Sequence, residues 1–307
     1  IVSLREDLIK ILNENKELKP LDNDLRELFK SWFNPGFLKL AKITWDTKAA
    51  VLEKIIQYER VHKIKDMNEL KRRLGEDRRF FSYFHPALED EPIIFVQVAL
   101  TNGLGKSIQE IMKPRTEGEK KYDTATFYSI SNCQEGLSRV TLGNFLIKRV
   151  VYEIQEELPN IKNFGTLSPI PGFRDWLTTL DETIIQSILG KTPYSNISFL
   201  KNSNLKIGDG RIVSNKNAII KLVGHYLINE KNKKDLPIND VCRFHLGNGA
   251  IIDDIVINAN VSEVGFNRSF GVMVNYLYEL KNIEKNHEEY INDKKIIVSE
   301  KLKKIII

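Results

Sequence analysis

Two motifs in the sequence place a serine and a histidine on constrained backbone. Ser168 begins the run Ser168-Pro169-Ile170-Pro171-Gly172-Phe173, in which each proline fixes its own φ and favours an extended predecessor. His245 comes shortly before Gly247 and Gly249, where the backbone can bend sharply or approach a ligand closely. Together they form a candidate active site. Taken singly, a serine such as Ser168 is more often a turn residue that bonds its own backbone, and a histidine such as His245 is more often a packed, hydrogen-bonded core residue.

A second candidate site lies between a predicted strand and a predicted helix. Backbone N–H groups at a helix start, together with the helix dipole, favour a phosphate group, and an arginine in the loop is placed to assist. The alternative is an ordinary strand-to-helix turn, because one glycine-containing loop is a weak motif. The residues of this loop are Ser138, Arg139, Val140, Thr141, Leu142, Gly143 and Asn144.

Two further pairs of residues are candidates for chemistry. Tyr276 and Tyr278 alternate around Leu277, so we expect one to face a pocket and the other to face the opposite side; plain strand packing is the alternative. Asp253 and Asp254 are adjacent carboxylates. Neighbours in a strand point to opposite faces, so this pair is not expected to share a metal ion.

The composition is that of a globular chain with a sizeable core, since 42% of the 307 residues are hydrophobic and 28% are charged. The longest apolar runs are too short for a membrane span.

The net charge of +5 fits either a solvated surface or a phosphate-bearing partner. No basic stripe alternates with aromatic residues, so no nucleic acid partner is expected. Two cysteines and five scattered histidines show no zinc-ligand spacing, and reduced thiols are expected.

Hydrophobic periodicity predicts a mixed α/β chain with a helical N-terminal layer. We expect helices through the first seventy-odd residues and strands after Gly75, at 79–84, 92–101 and 124–130. A buried helix is predicted from Gly143 to Leu158, followed by a strand that leads to Ser168. Two more strands are expected at 250–258 and 272–280, and a helical tail from Glu284. Residues 190–215 are predicted to be a solvated insertion.

Taken together, these segments resemble the malonyl-CoA decarboxylase family. The resemblance covers nearly the whole chain, and the joint occurrence of its motifs is specific. The motifs are Trp32-Phe33-Asn34-Pro35-Gly36-Phe37-Leu38, Ile43-Thr44-Trp45, Val98-Ala99-Leu100-Thr101, Phe127-Tyr128-Ser129-Ile130-Ser131, Leu142-Gly143-Asn144-Phe145-Leu146-Ile147-Lys148-Arg149-Val150-Val151, Leu167-Ser168-Pro169-Ile170-Pro171-Gly172-Phe173, Phe244-His245-Leu246-Gly247-Asn248-Gly249-Ala250 and Gly271-Val272-Met273-Val274-Asn275-Tyr276-Leu277-Tyr278.

The resemblance implies a fold and a domain division. Residues 1–75 would be the last part of an N-terminal helical bundle, and residues 76–307 an acetyltransferase-like (GNAT-type) catalytic domain with a mixed sheet. The chain begins with Ile1 rather than methionine, so we expect a fragment. The family is expected to form homo-oligomers as full-length protein.

The resemblance also implies a reaction and the residues that carry it. The family belongs to fatty acid metabolism and converts malonyl-CoA to acetyl-CoA and CO₂, as a carboxy-lyase without metal or organic cofactor. It pairs a serine as proton acceptor with a histidine as proton donor, which correspond to Ser168 and His245. Tyr278 matches a position that lines the same pocket. The loop from Ser138 to Asn144 matches the family's malonyl-CoA-binding loop.

This chain departs from the family pattern at four positions. Thr141 replaces a glutamate, Ile257 a tryptophan and Asn260 an aspartate, and Asp254 stands where a basic residue is common. Two rival functions therefore stay open: a non-catalytic acyl-CoA-binding paralogue, and a CoA-dependent acyltransferase. The chain does not end in a peroxisomal Ser-Lys-Leu signal, and the expected compartment is the cytoplasm, with the mitochondrion as the alternative.

Overall fold

The computed structural model describes residues 1–113, 122–138, 140, 146–202 and 205–306. Within these ranges the strands are β1 (Lys39–Lys42), β2 (Arg78–His85), β3 (Leu88–Thr101), β4 (Thr124–Asn132), β5 (Asn163–Thr166), β6 (Ser168–Pro169), β7 (Ile251–Val256) and β8 (Met273–Leu277). The α-helices are α1 (Val2–Ile11), α2 (Lys19–Trp32), α3 (Ala49–Tyr58), α4 (Met67–Arg73), α5 (Ile108–Met112), α6 (Leu146–Glu157), α7 (Phe173–Thr179), α8 (Glu182–Leu189), α9 (Gly210–Ser214), α10 (Lys216–Ile228), α11 (Asp240–Gly247), α12 (Glu263–Ser269), α13 (Ile283–Asp293) and α14 (Glu300–Ile306).

The chain divides into two compact units. The first comprises residues 1–100 and 127–161, and the second comprises residues 101–126 and 162–307. The mixed α/β class predicted from the sequence is confirmed by these elements. The expected boundary between a helical domain (residues 1–75) and a catalytic domain (residues 76–307) remains a prediction.

The first unit is built on strands in the order β1-β2-β3-β4, in which β1 pairs antiparallel with β2 and β2 pairs antiparallel with β3. β2 and β3 form a hairpin in which Phe81 lies opposite Val96, and the apolar faces of α3 and α4 cover one side of it. Aliphatic residues at helical spacing in α3 form this core with two strand aromatics. The core residues are Ile43, Val51, Leu52, Ile55, Ile64, Leu70, Phe80, Phe95 and Cys133.

A buried carboxylate joins α3 to these strands. Glu59 is 3% exposed and directly follows α3. Its Oε2 accepts hydrogen bonds from the side chains of Gln97 and, at 2.7 Å, Ser129. Its Oε1 accepts the backbone N–H of Val61 at 2.7 Å and of His62 at 2.9 Å, and Ser131 Oγ lies 3.2 Å away. Such a group is tolerated inside a protein because its oxygens are saturated with donors.

The second unit is organised around β8, which pairs antiparallel with β5, β6 and β7. Gly165 lies opposite Leu277 and Ser168 opposite Val274, so β5 and β6 follow one register along the same edge of β8. A Cβ at Gly165 would come within 2.8 Å of the Tyr276 carbonyl oxygen. The glycine therefore permits the close approach of these two strands.

Most of the predicted elements agree with the structure, and two differ. Residues 39–42 form the short strand β1 within the stretch predicted to be helical. Residues 190–215 are not a solvated insertion, because Ile197, Leu200 and Ile212 are buried. Polar residues dominate that segment, but its few apolar residues recur often enough to anchor α9 and two short 3₁₀ turns.

Candidate active site

One face of the β5–β6–β8 ladder carries the polar side chains of the candidate site. Thr166 and Ser168 are two residues apart and therefore share a face of their strand. The backbone N–H of Tyr278 donates to the Phe164 carbonyl at 2.8 Å, which continues the ladder one residue beyond β8. Tyr276 and Tyr278 consequently lie on the same face as Thr166 and Ser168.

The short helix α11 places His245 over this face. Asn239 caps the helix by accepting the backbone N–H of Cys242 at 2.8 Å, and its amide donates to the Pro171 carbonyl at 2.9 Å. The sharp bend predicted after His245 occurs at Gly249, where φ is +79°. A Cβ at this position would lie 2.1 Å from the Ile283 carbonyl oxygen. The helix thus ends at a turn that no other residue type could fill without strain.

The imidazole of His245 is bonded at both nitrogens. Its Nε2 lies 3.0 Å from Ser168 Oγ, and its Nδ1 lies 2.8 Å from the hydroxyl oxygen of Tyr278. The Ser168 hydroxyl also donates to Thr166 Oγ1 at 2.8 Å. The structure therefore brings together all three residues that the sequence and the resemblance put forward as catalytic.

Burial controls the protonation of this array. Ser168, His245 and Tyr278 are 5%, 2% and 2% exposed. Burial disfavours the imidazolium and lowers the pKa of His245 to about 3. Burial likewise holds the pKa of Tyr278 well above its ordinary value. At neutral pH the site therefore holds a neutral imidazole beside a protonated phenol.

The expectation that Tyr276 and Tyr278 face opposite sides is wrong. The Tyr276 ring stacks on His245 with ring centroids 4.4 Å apart and an interplanar angle of 25°, while Tyr278 bonds the same imidazole. Residues two apart in a strand share a face, and only immediate neighbours alternate. Both tyrosines therefore belong to the surroundings of His245.

The adjacent carboxylates Asp253 and Asp254 do not follow simple strand alternation. A bulge in β7 shifts the register between Ile252 and Asp254. As a result, Lys301 Nζ lies 2.9 Å from Asp253 Oδ2 and 3.5 Å from Asp254 Oδ2. The pair forms an ion-pair cluster with one lysine of α14.

The predicted phosphate-binding loop is described only in part. Ser138 and Val140 lie in the first unit, after a 3₁₀ turn at Glu135–Leu137, and Val140 is buried. The carbonyl of Ser138 accepts a hydrogen bond from the buried guanidinium of Arg5 at 2.9 Å, and Arg5 Nε pairs with Asp22 at 2.8 Å. The candidates Arg139, Thr141, Leu142, Gly143 and Asn144 lie outside the described residues.

Asn260, which replaces the aspartate of the family pattern, performs a carboxylate-like task. Its Oδ1 accepts the backbone N–H of Ser262 at 3.1 Å and the side chain of Gln109 at 3.3 Å. Both contacts need only an acceptor oxygen, which an amide supplies as well as a carboxylate does. This departure therefore leaves the local hydrogen bonds intact.

Motif reading missed Thr166, which contacts Ser168, and the buried structural carboxylate Glu59. Thr166 stands two residues before Ser168, and strand alternation alone would have placed it on the same face. Glu59 carries no sequence signal, because its side-chain donors Gln97, Ser129 and Ser131 lie far from it in the chain.

The described residues contain neither a candidate metal-binding cluster nor a membrane-spanning helix. Among them, no three His, Cys, Asp or Glu side chains cluster in a way that could hold a metal ion. No helix within the described ranges is long and apolar enough to span a membrane. The expectation that the reaction uses no metal or organic cofactor remains a prediction.

Comparison with known proteins identifies the relatives of this chain. The family model for the malonyl-CoA decarboxylase C-terminal domain matches residues 36–307, and that for the N-terminal domain matches residues 1–33. The mitochondrial malonyl-CoA decarboxylase of the goose Anser anser anser is 37% identical over 98% of this chain and 65% of its own length. The mouse enzyme is 34% identical over 100% of this chain and 67% of its own length. This chain thus spans about two thirds of these relatives.

Solved structures agree with these matches. The malonyl-CoA decarboxylase of Agrobacterium vitis has a TM-score of 0.89 and 38% identity, covering 100% of this chain and 75% of that protein. The enzyme of Rhodopseudomonas palustris has a TM-score of 0.86 and 39% identity, covering 99% of this chain and 74% of that protein. On the strength of the family models, the sequence identities and the shared fold, this chain belongs to the malonyl-CoA decarboxylase family.

Proposed function

We propose that this chain converts malonyl-CoA to acetyl-CoA and CO₂. The observation that carries the proposal is the buried, hydrogen-bonded array of Ser168, His245 and Tyr278. The array retains the serine and the histidine on which the family's chemistry depends, in a chain that belongs to that family.

The proposed reaction breaks one carbon–carbon bond. The bond between the free carboxylate and the methylene carbon breaks, CO₂ leaves, and the electron pair moves into the thioester to give an enolate. A proton then adds to the methylene carbon, which yields acetyl-CoA. The protein must therefore stabilise a developing oxyanion and deliver one proton to carbon.

His245 is the residue best suited to both tasks. A neutral imidazole has one N–H, which can donate to the enolate oxygen or pass its proton to the carbanion. Its low pKa keeps it neutral and able to accept or donate near pH 7. Because the site is buried, such a hydrogen bond is stronger than it would be in water.

Ser168 and Tyr278 complete the site in this proposal. Ser168 orients the departing carboxylate or takes part in proton transfer, since its hydroxyl lies 3.0 Å from Nε2. Tyr278 holds the opposite nitrogen through its hydroxyl at 2.8 Å. Its raised pKa keeps that hydroxyl protonated.

The coenzyme A part of the substrate is proposed to bind at residues 138–144. The support for this proposal is the match of these residues to the malonyl-CoA-binding segment that the family resemblance implies, together with their position before α6 in the sequence. The backbone that leads into these residues is held by Arg5, which donates hydrogen bonds to the carbonyls of Gly136 and Ser138.

The remaining parts of the proposal concern cofactors, assembly and compartment. We propose a reaction without metal or organic cofactor, and a homo-oligomer for the full-length protein. The animal relatives are named as mitochondrial enzymes, which supports the mitochondrion as the alternative to the cytoplasm.

The test is the fate of malonyl-CoA that carries an isotope label in its free carboxyl group. The purified chain is expected to release labelled CO₂ and unlabelled acetyl-CoA in equal amounts. Substrate that binds but stays intact would indicate an acyl-CoA-binding paralogue. Acylation of an added amine acceptor without release of CO₂ would indicate an acyltransferase.

A further inference from the structure

The heavy-atom geometry of the contact between Ser168 and Thr166 assigns the Ser168 hydroxyl as the donor. Ser168 Oγ donates to Thr166 Oγ1 at 2.8 Å. A hydroxyl carries one hydrogen and two lone pairs. With its hydrogen directed to Thr166, Ser168 faces His245 as an acceptor.

The hydrogen count then determines the tautomer of His245. As an acceptor, Ser168 Oγ requires a donor at Nε2, which lies 3.0 Å away, and this requirement favours the tautomer with the ring hydrogen on Nε2. The Nδ1 atom of a neutral ring is then an acceptor. The hydroxyl of Tyr278, 2.8 Å away, supplies the matching donor.

Thr166 is held firmly in its accepting position. It is fully buried, and its Oγ1 also accepts the backbone N–H of Tyr276 at 3.3 Å. Its carbonyl accepts from the Asn275 amide at 2.7 Å, and the same amide donates to the Gly105 carbonyl at 3.0 Å. Two donors therefore point at the Thr166 hydroxyl oxygen.

We propose that Thr166 is a positioning residue of this site: by accepting the Ser168 hydroxyl hydrogen, it directs the lone pairs of Ser168 toward His245 and selects the Nε2–H tautomer. Thr166 acts through Ser168 and has no contact with substrate in this account. Its effect on turnover rests on the proposed decarboxylation, whereas its effect on the tautomer does not.

Kinetics of Thr166 variants test the effect on turnover. Thr166→Val keeps the shape and removes the acceptor, and we expect kcat to fall about tenfold while KM changes less than about twofold. Thr166→Ser keeps the acceptor and should restore kcat to within about twofold of wild type. In a Ser168→Ala background, Thr166→Val should cause no further loss. An unchanged kcat in Thr166→Val, or the same tenfold loss in both backgrounds, would overturn the positioning role.

Nitrogen NMR of the histidine ring tests the tautomer without any need for activity. In the ¹⁵N-labelled wild-type chain, Nε2 of His245 should carry the hydrogen and Nδ1 should not, with the signals assigned by their loss in His245→Gln. Thr166→Val should mix the tautomers, and Thr166→Ser should restore the wild-type pattern. A hydrogen on Nδ1 in the wild type would overturn the proposal. If the wild type does not release CO₂, the proposed function fails, and the NMR result still decides the role of Thr166.

Discussion

Nε2 of His245 lies 3.0 Å from Ser168 Oγ, although 77 residues separate the two in sequence. The ladder between β6 and β8 carries the serine, and the capped helix α11 carries the histidine. Both side chains are buried, so their contact is removed from bulk water. The fold therefore brings together two motifs that lie far apart in the sequence.

Replacement of the serine should reduce catalysis more than binding. We expect Ser168→Ala to lower kcat by about 10–100-fold, because a hydrogen-bonded participant in proton transfer is lost, while the affinity for coenzyme A stays near wild type. Steady-state kinetics and calorimetric titration measure the two effects. Ser187→Ala, at an exposed serine of α8, is the control and should retain wild-type turnover. A loss confined to affinity would argue for a structural serine.

The phenol of Tyr278 should matter more than that of Tyr276. Tyr278→Phe removes the donor to Nδ1 and should lower kcat by about tenfold, the worth of one buried hydrogen bond. Tyr276→Phe is the matched control. It keeps the ring that stacks on His245 and removes a hydroxyl that lies beside the Cys242 thiol and does not bond the imidazole. Equal losses in the two variants would contradict the specific role of Tyr278.

Burial of His245 should make the protein less stable in mild acid. Its pKa is lowered from 6.5 to about 3 in the folded state, so the unfolded chain takes up a proton first as the pH falls. The stabilisation present above pH 6.5 is thus lost progressively toward pH 3, at up to about 1.4 kcal/mol per pH unit. Urea unfolding between pH 7.5 and about 5 should show a steeper decline for wild type than for His245→Gln. Parallel curves would contradict a neutral buried imidazole.

The buried carboxylate of Glu59 should be a major contributor to the stability of the first unit. Glu59→Gln replaces one acceptor oxygen by an NH₂ group that cannot accept, which leaves donors among Gln97, Ser129 and Ser131 without a partner. We expect a loss of about 2–4 kcal/mol in the free energy of unfolding, measured with urea. Glu53→Gln, at an exposed position of α3, should change it by less than about 0.5 kcal/mol. Equal stability of the two variants would contradict the role of Glu59.

Local patterns were enough to predict most of the elements around the site. The apolar spacing predicts a buried helix face of Phe145, Leu146, Val150, Val151 and Ile154. Phe145 lies outside the described residues, and the other four are buried. The strand before Ser168 and the two strands after His245 were also predicted, because β-branched and aromatic residues concentrate there. The motif pair itself was identified from backbone constraints and from the family resemblance.

Contacts between residues that are distant in sequence could not be predicted from local patterns. The donors to Glu59 come from β3, β4 and the segment after α3, and no spacing connects them. The strand β1 was missed because the short Lys39-Leu40-Ala41-Lys42 run gains its structure from pairing with β2. The faces of Tyr276 and Tyr278 could have been predicted, since period-two alternation places them together.

The measurement that tests the central claim most directly is the release of CO₂ and acetyl-CoA from malonyl-CoA by the wild-type chain and by His245→Ala. The account predicts steady release by the wild type and a decrease of about 10²–10⁴-fold in the variant, with malonyl-CoA still bound. Release by His245→Ala at the wild-type rate would contradict the role of the histidine. Binding without release by the wild type would contradict the proposed decarboxylation itself.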